Sequence, residues 1–334
     1  MTRIRRASLL VVLAHPDDEI FHGGALSHLS ERGVRVTLAC ATDGEAGKPH
    51  PSIGPIDDLG ALRVDELKLS CARLGLEEPV LLRFHDSARK ERQRRDDPHA
   101  LANVDMLDVE AAIRGIIADV KPQVIVTFDP HGGYYHPDHV AIQRATTAAF
   151  FSSGGLGDEA PERLFYATML RDVFRVFAEA SRGRGIIDGL DPDVFAASPE
   201  MVAVSFDASP YLDRKFFALT AHRSAFGVTP EMLKSPPEGV ARMLQAFRPV
   251  LEREVFLLAG ARGPVRGWPL PDFFHGLETA ALEPIEDAVG RGLDPKNLHE
   301  VSRVFPPRPS ARQRGVTRAY GLARRSGFCQ TMPV

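Results

Sequence analysis

His15, Asp17, Asp18 and Glu19 stand together around Pro16, and much further along the chain His136, Asp138 and His139 repeat the arrangement around Pro137. Two imidazoles and one carboxylate, with a fourth position left open, make a hydrolytic zinc site. His15, Asp18 and His139 can supply that set. Zinc lowers the pKa of bound water to about 7, which makes hydroxide available at neutral pH. Asp17, a second carboxylate at the same place, can take the water's proton as general base. His136 lies about one helical turn before His139, on the same face. From there it can stabilise a developing oxyanion and protonate a leaving amine. Asp138 can orient an imidazole from behind. Asp17, Asp18 and Glu19 would also suit a helix start, where the macrodipole favours acids. The metal reading is preferred because the cluster occurs twice, each time directly after a buried-strand pattern.

The elements that must carry these side chains are legible around them. Residues 8–14 are an apolar, β-branched run that reads as a strand buried on both faces of a parallel sheet. Residues 123–128 are a second such run. Ligands of open α/β sheets bind just outside the carboxyl ends of the strands, so two parallel neighbours would aim both clusters at one crevice. Further strands are expected at 34–41, 79–84, 163–170, 202–206 and 252–259. Helices are expected at 20–32, 59–74, 104–120, 140–150, 172–180 and 210–220. The alternation predicts an α/β fold: a Rossmann-like, mostly parallel sheet with helices on both faces and the active site at the carboxyl ends of the strands.

Two local look-alikes are rejected. Arg3, Arg5 and Arg6 before a short apolar run mimic a signal peptide, but the run flows directly into the His-Asp cluster. Gly47-Lys48 mimics the end of a phosphate loop. Position 42 is Thr where the first glycine belongs, and Pro49 stands where a magnesium-binding hydroxyl would be. The 42–48 stretch therefore reads as a flexible loop at the active edge, and the charge-dense stretch 89–97 as a solvated one.

Lys plus Arg number 41 against 44 Asp plus Glu, which argues against a nucleic-acid binder. Three scattered cysteines form no CxxC pair, so neither a disulfide framework nor a thiolate zinc site is expected, and a cytoplasmic location fits. No apolar stretch is long enough to span a bilayer. The chain divides into an expected catalytic domain at 1–260 and a C-terminal extension at 261–334, Gly/Pro-rich and then Arg-rich. The extension's arginines, from Arg303 to Arg325 with no acid after Glu300, could remain disordered or grip a neighbouring subunit or an anionic substrate.

Ala14-His15-Pro16-Asp17-Asp18-Glu19 together with His136-Pro137-Asp138-His139 resembles the PIG-L/LmbE family of zinc-dependent N-acetylglucosaminyl deacetylases. Thr42-Asp43-Gly44, Arg63 with Glu66-Leu67, and Ala221-His222-x-Ser224 are further matches, and the resemblance covers residues 7–225. It implies His15, Asp18 and His139 as zinc ligands, Asp17 as general base, His136 as the acid-side electrophile and Asp138 as its neighbour's support. It also implies substrate contacts from Arg63, from Asp86 to sugar hydroxyls, from Tyr134 as a mobile tyrosine, and from His222 at the pocket rim. The chain departs from the family pattern at Ser224-Ala225, where Ser-Gln is frequent, and over 260–334, which has no counterpart.

The implied function is hydrolysis of an N-acetyl or other N-acyl group from a small amino-sugar substrate, with zinc, or iron(II) in the same ligand set. Two rivals are an amidase on thiol–sugar conjugates or a tailoring deacetylase of a glycosylated natural product, and a non-catalytic sugar-binding protein. The second has no use for Asp17.

Overall fold

Ser8–Leu13 is buried at every position, as a strand covered on both faces must be. This strand, β1, is the centre of the computed structural model, which describes residues 6–180 and 189–279. The C-terminal arginines, Cys329, and Arg3 and Arg5 lie outside the described residues.

Four strands follow: β2 (Arg35–Thr42), β3 (Val80–Phe84), β4 (Val124–Phe128) and β5 (Arg163–Thr168). With β6 (Val202–Asp207) and β7 (Arg253–Ala261) they form one seven-stranded sheet in the order β3-β2-β1-β4-β5-β7-β6. The pairings from β3 through β5 are parallel, and β7 runs antiparallel to both of its neighbours. The chain builds outward from β1 through β2 to β3, then crosses back so that β4 pairs β1 on its other side, Leu9 opposite Val124 and Val11 opposite Val126. This reversal is a topological switch point, where a crevice opens at the carboxyl ends of the two strands. Both His-Asp clusters leave the sheet there.

Helices flank the sheet: α1 (Gly23–Glu31), α2 (Leu59–Leu74), α3 (Met106–Val120), α4 (Pro137–Ser152), α5 (Arg171–Ala180), α6 (Leu212–Leu219) and α7 (Glu238–Glu252). Their ends follow capping chemistry. Asp58 accepts the Ala61 N–H at the start of α2, and Gly75 closes it with φ 77°, a conformation a side chain would oppose. The expected elements are present with ends shifted by a few residues; α7 is not among them. After β7, Leu270, Phe273 and Phe274 are buried in the main core, and the Phe273 ring meets Phe165 and Phe256 edge-on. Residues 262–279 thus pack back onto the sheet as a series of bends and turns. No helix among the described residues is long and apolar enough to cross a membrane.

One buried ion pair ties this frame to the turn Asp18–His22. Lys215 of α6 and Glu254 of β7 are both 0% exposed and 2.5 Å apart. Lys215 also donates to the carbonyls of Phe21 and Leu251. Glu254 accepts the Gly24 and Ala25 N–H groups, which satisfies two of the orphan donors at the start of α1. Burial pushes the Lys215 ammonium down, against the pull of Glu254. Removing one partner strands the other charge in the core, so Lys215→Ala is expected to lose about 3–5 kcal/mol of stability in urea unfolding.

Candidate active site

His15 follows β1, and Asp18 opens the short helical turn Asp18–His22. His139 sits in the first turn of α4, which Pro137 begins and His136 caps by accepting the Asp138 N–H at 3.2 Å. Pro at the first helical position costs no hydrogen bond and presets φ. The chain therefore enters α4 abruptly, and His136, Asp138 and His139 all sit at its buried start.

The three expected ligands converge although 124 residues separate His15 from His139. His15 Nδ1 lies 3.1 Å from His139 Nε2. Asp18 Oδ1 is 3.4 Å from His139 Nε2 and Asp18 Oδ2 is 3.6 Å from His15 Nδ1. Bonds of 2.0–2.2 Å in a tetrahedral arrangement separate ligand atoms by about 3.3 Å, so the spacing fits a first-row divalent cation.

The outer nitrogen of each ring is already assigned. His15 Nε2 faces Asp138 Oδ2 at 3.0 Å and His139 Nδ1 faces the Gly132 carbonyl at 3.0 Å. Both partners are acceptors, so each ring donates from its outer atom and the two remaining nitrogens face each other, lone pair toward lone pair unless a proton or a metal cation lies between them. Burial lowers the His15 ring, but Asp86, Asp138 and Asp18 outweigh it and hold it well above its ordinary range, so the pocket favours a positive charge at this point. Histidine ligands of metals are oriented by such outer hydrogen bonds. The donor set therefore fits a metal, as do the two buried groups His15, His136, His139 and His15, Asp86, His136, Asp138. Burial pushes the His139 ring down to about 4, keeping it neutral. Burial pushes Asp18 up, but His139 and His15 outweigh it and hold the carboxyl well below its usual range.

His136 stands further back, its ring centre 4.5 Å from that of His15 and 5.1 Å from that of His139. Its Nδ1 is occupied by the Asp138 N–H, so the ring is neutral and Nε2 carries the proton. Asp138, 0% exposed, accepts from His15 and from the Ser87 N–H with the same oxygen. Asp138→Asn would turn an amide toward His15 Nε2 and favour the wrong tautomer. Metal affinity measured by competition with a chelator is expected to fall about 10–100-fold.

Asp17 adopts φ 107°, ψ −19°, a region that costs a non-glycine residue roughly 1–3 kcal/mol. Its N–H donates to Glu19 Oε2 at 3.0 Å, and Arg63 Nη2 donates to its Oδ2 at 2.8 Å and to the Pro16 carbonyl at 2.6 Å. Burial raises its carboxyl to about 6, against the pull of Arg63.

The residues expected to touch substrate divide. Tyr134 and Asp86 lie beside the His15–His139 cluster. The Tyr134 ring lies 5.0 Å from His139, with Arg89 5.1 Å over its face. Asp86 Oδ1 is 3.7 Å from His15 Nε2. Arg63 is instead spent on the protein: besides Asp17 and Pro16 it donates to the Gly44 carbonyl, and it is buried. His222 is not at a rim. It is 0% exposed and bonded to Glu19.

The 42–48 stretch is not free-standing either. It wraps the Arg63 guanidinium so closely that a Cβ on Gly44, already at φ 69°, would lie 2.5 Å from it. Arg94 donates to Glu45 and Arg92 to the Ala46 carbonyl, so the charge-dense stretch is pinned to this loop. Gly132 is needed for a similar reason: at φ 59°, a Cβ there would meet His139 Cβ at 2.5 Å.

Several supporting residues had no expected role. Glu66 of α2 accepts both the N–H and the hydroxyl of Ser224. Asp129 accepts from His131, Gly133 and Thr168 and so shapes the loop after β4. The one signal for Glu66 and Ser224 was their place in the quoted motifs, and for Asp129 its place at the end of a strand.

A model of the GlcNAc-PI de-N-acetylase family, PIG-L, matches residues 10–150. A 1D-myo-inositol 2-acetamido-2-deoxy-α-D-glucopyranoside deacetylase of Acidothermus cellulolyticus is 34% identical over 238 residues, covering 66% of this chain and 80% of the relative. The protein of the same name from Saccharomonospora viridis is 34% identical over 283 residues, covering 80% of this chain and 100% of the relative. Among solved structures, the 4-carboxy-2-hydroxymuconate hydratase GalB of Pseudomonas putida superposes with a TM-score of 0.50 at 15% identity, covering 78% of this chain and 99% of that one. That likeness concerns the fold alone, and a hydratase on this fold shows that the reaction must be argued from the site.

Proposed function

The chain belongs to the PIG-L family of de-N-acetylases, and from that premise we propose that it is a metal-dependent hydrolase that removes the acetyl group from a 2-acetamido-2-deoxyglucose unit. The observation that carries this reading is the pair of imidazole nitrogens facing each other at 3.1 Å beside Asp18, with a clamped carboxylate, Asp17, next to them. His15, Asp18 and His139 hold the cation, zinc or iron(II). When bound, the cation polarises the amide carbonyl and acidifies a water.

The chain's own groups do the rest. Arg63 occupies Asp17 Oδ2, leaving Oδ1 to take the proton of the attacking water. His136 presents Nε2–H to the oxygen on which negative charge develops, as a fixed donor. Being neutral, it donates a hydrogen bond rather than a proton. The proton held on Asp17 passes to the nitrogen as the C–N bond breaks, and acetate and the free amine leave. Asp86 and Tyr134 border the space for the sugar. Buried, unpaired Cys40 and Cys71 suit a reducing cytoplasm.

The relatives' names specify an inositol glycoside, so that compound is the proposed substrate. Acetate release by metal-loaded protein would be measured from the inositol glycoside, a malate-linked analogue, free N-acetylglucosamine and an N-acylated glycopeptide. At least tenfold higher kcat/KM for the inositol glycoside is expected. Turnover of the glycopeptide alone would move the protein to the tailoring deacetylases.

A further inference from the structure

Asp17 reaches its position through a buried relay that neither the ligand set nor the base requires by itself. Glu19 is 0% exposed. Its Oε1 accepts from His222 Nε2 and from Ser70 Oγ, each at 2.5 Å. Its Oε2 accepts the N–H of Asp17. Ser70 is on α2, and His222 is on the turn after α6, 203 residues from Glu19 in sequence. His222 and Ser70 are themselves fully buried. Glu19 is therefore fixed from two directions by elements outside the catalytic turn, and the oxygen it has left holds the one backbone N–H whose residue carries φ 107°.

A carboxylate held by several donors is a strong, geometrically defined acceptor. The consequence is directional. Arg63 fixes the outer end of the Asp17 side chain, whereas the direction of its Cα–Cβ bond depends on the backbone. Without an acceptor for the N–H, that backbone relaxes toward negative φ, where a non-glycine residue is unstrained. The carboxylate then swings away from the ligand cluster.

We propose that Glu19, locked by His222 and Ser70, is a positioning residue that holds Asp17 in its left-handed conformation and so aims the general base at the water beside His15, Asp18 and His139. The inference rests on Asp17 being the base. It assigns a role to Glu19 and replaces the rim role expected for His222.

The test uses the full-length, metal-loaded enzyme and the inositol glycoside as probe. Glu19→Ala and Glu19→Gln are each made in the native protein and in the Asp17→Asn protein. Glu19→Ala is expected to lower kcat about 100-fold, with KM and bound metal changed less than threefold. Glu19→Gln retains an oxygen for the Asp17 N–H and is expected to recover to within about tenfold of native. In the Asp17→Asn background neither change should lower the residual rate further, because residues acting as a unit are non-additive.

Equal losses in both backgrounds would overturn the proposal, as would full activity of Glu19→Ala. Near-native activity of Asp17→Asn would instead overturn the base assignment on which it rests. Crystal structures provide a readout independent of turnover: Asp17 should keep positive φ in Glu19→Gln and lose it in Glu19→Ala, and retention in both would contradict the proposal. Should Glu19→Ala not fold, His222→Gln takes its place in both backgrounds. About tenfold loss is then expected in the native protein and none beside Asp17→Asn; equal loss in both would overturn it.

Discussion

Asp17→Asn is expected to bind its metal with unchanged stoichiometry and to lose about a thousandfold in kcat. The amide keeps the shape of the carboxylate and can still accept from Arg63, which now donates to Asp17 at 2.8 Å, so the turn stays in place. What disappears is the ability to hold a proton between attack and departure of the amine. General base catalysis by a positioned side chain contributes about 10²–10⁴-fold, and in the proposed mechanism one carboxylate serves both half-steps. KM should move little, because Asp17 is not assigned to binding the sugar. Rapid-quench or steady-state acetate assays with metal analysis on the same sample check this. Loss of metal together with activity would make Asp17 a ligand, and retention of activity would move the base elsewhere.

His139→Ala is expected to remove both metal and activity. The imidazole is one of the three proposed ligands, 3.1 Å from His15 and 3.4 Å from Asp18. Loss of an outer hydrogen-bond partner of a metal ligand costs about 10–100-fold in affinity. Loss of the ligand itself should exceed that, leaving less than one-tenth of an equivalent after dialysis. The fold should survive, because the deleted ring frees a buried Gly132 carbonyl but leaves the β1–β4 pairing intact. Circular dichroism beside elemental analysis separates the two effects. A folded variant with a full equivalent of metal would contradict the ligand set.

The strands carrying the site were legible because β1 and β4 are unbroken apolar runs, and buried parallel strands have no polar alternation to obscure them. The His-Asp clusters were legible because each is local, within a few residues of a strand end and a proline. Other parts were not. Helix α7 holds Pro249 in its last turns and follows Pro236-Pro237, punctuation that ordinarily marks a break. Arg63 read as a hand for the substrate because an exposed arginine and one buried against Asp17 look alike in sequence. The pairings of Glu19 with His222 and of Glu66 with Ser224 span 203 and 158 residues. The separate motifs around residues 15, 66 and 222 turn out to be facing sides of one hydrogen-bonded frame, a relation that spacing along the chain does not encode.

The most direct measurement is acetate release from 1D-myo-inositol 2-acetamido-2-deoxy-α-D-glucopyranoside by one preparation in three states: as purified, stripped by chelator, and reloaded with a single equivalent of zinc or iron(II). The expected result is turnover as purified, none after stripping, and recovery that saturates near one equivalent. Undiminished turnover by the stripped protein would contradict a metal-dependent hydrolase, and so would a reloaded protein that holds its ion and releases no acetate from any N-acetylglucosaminide.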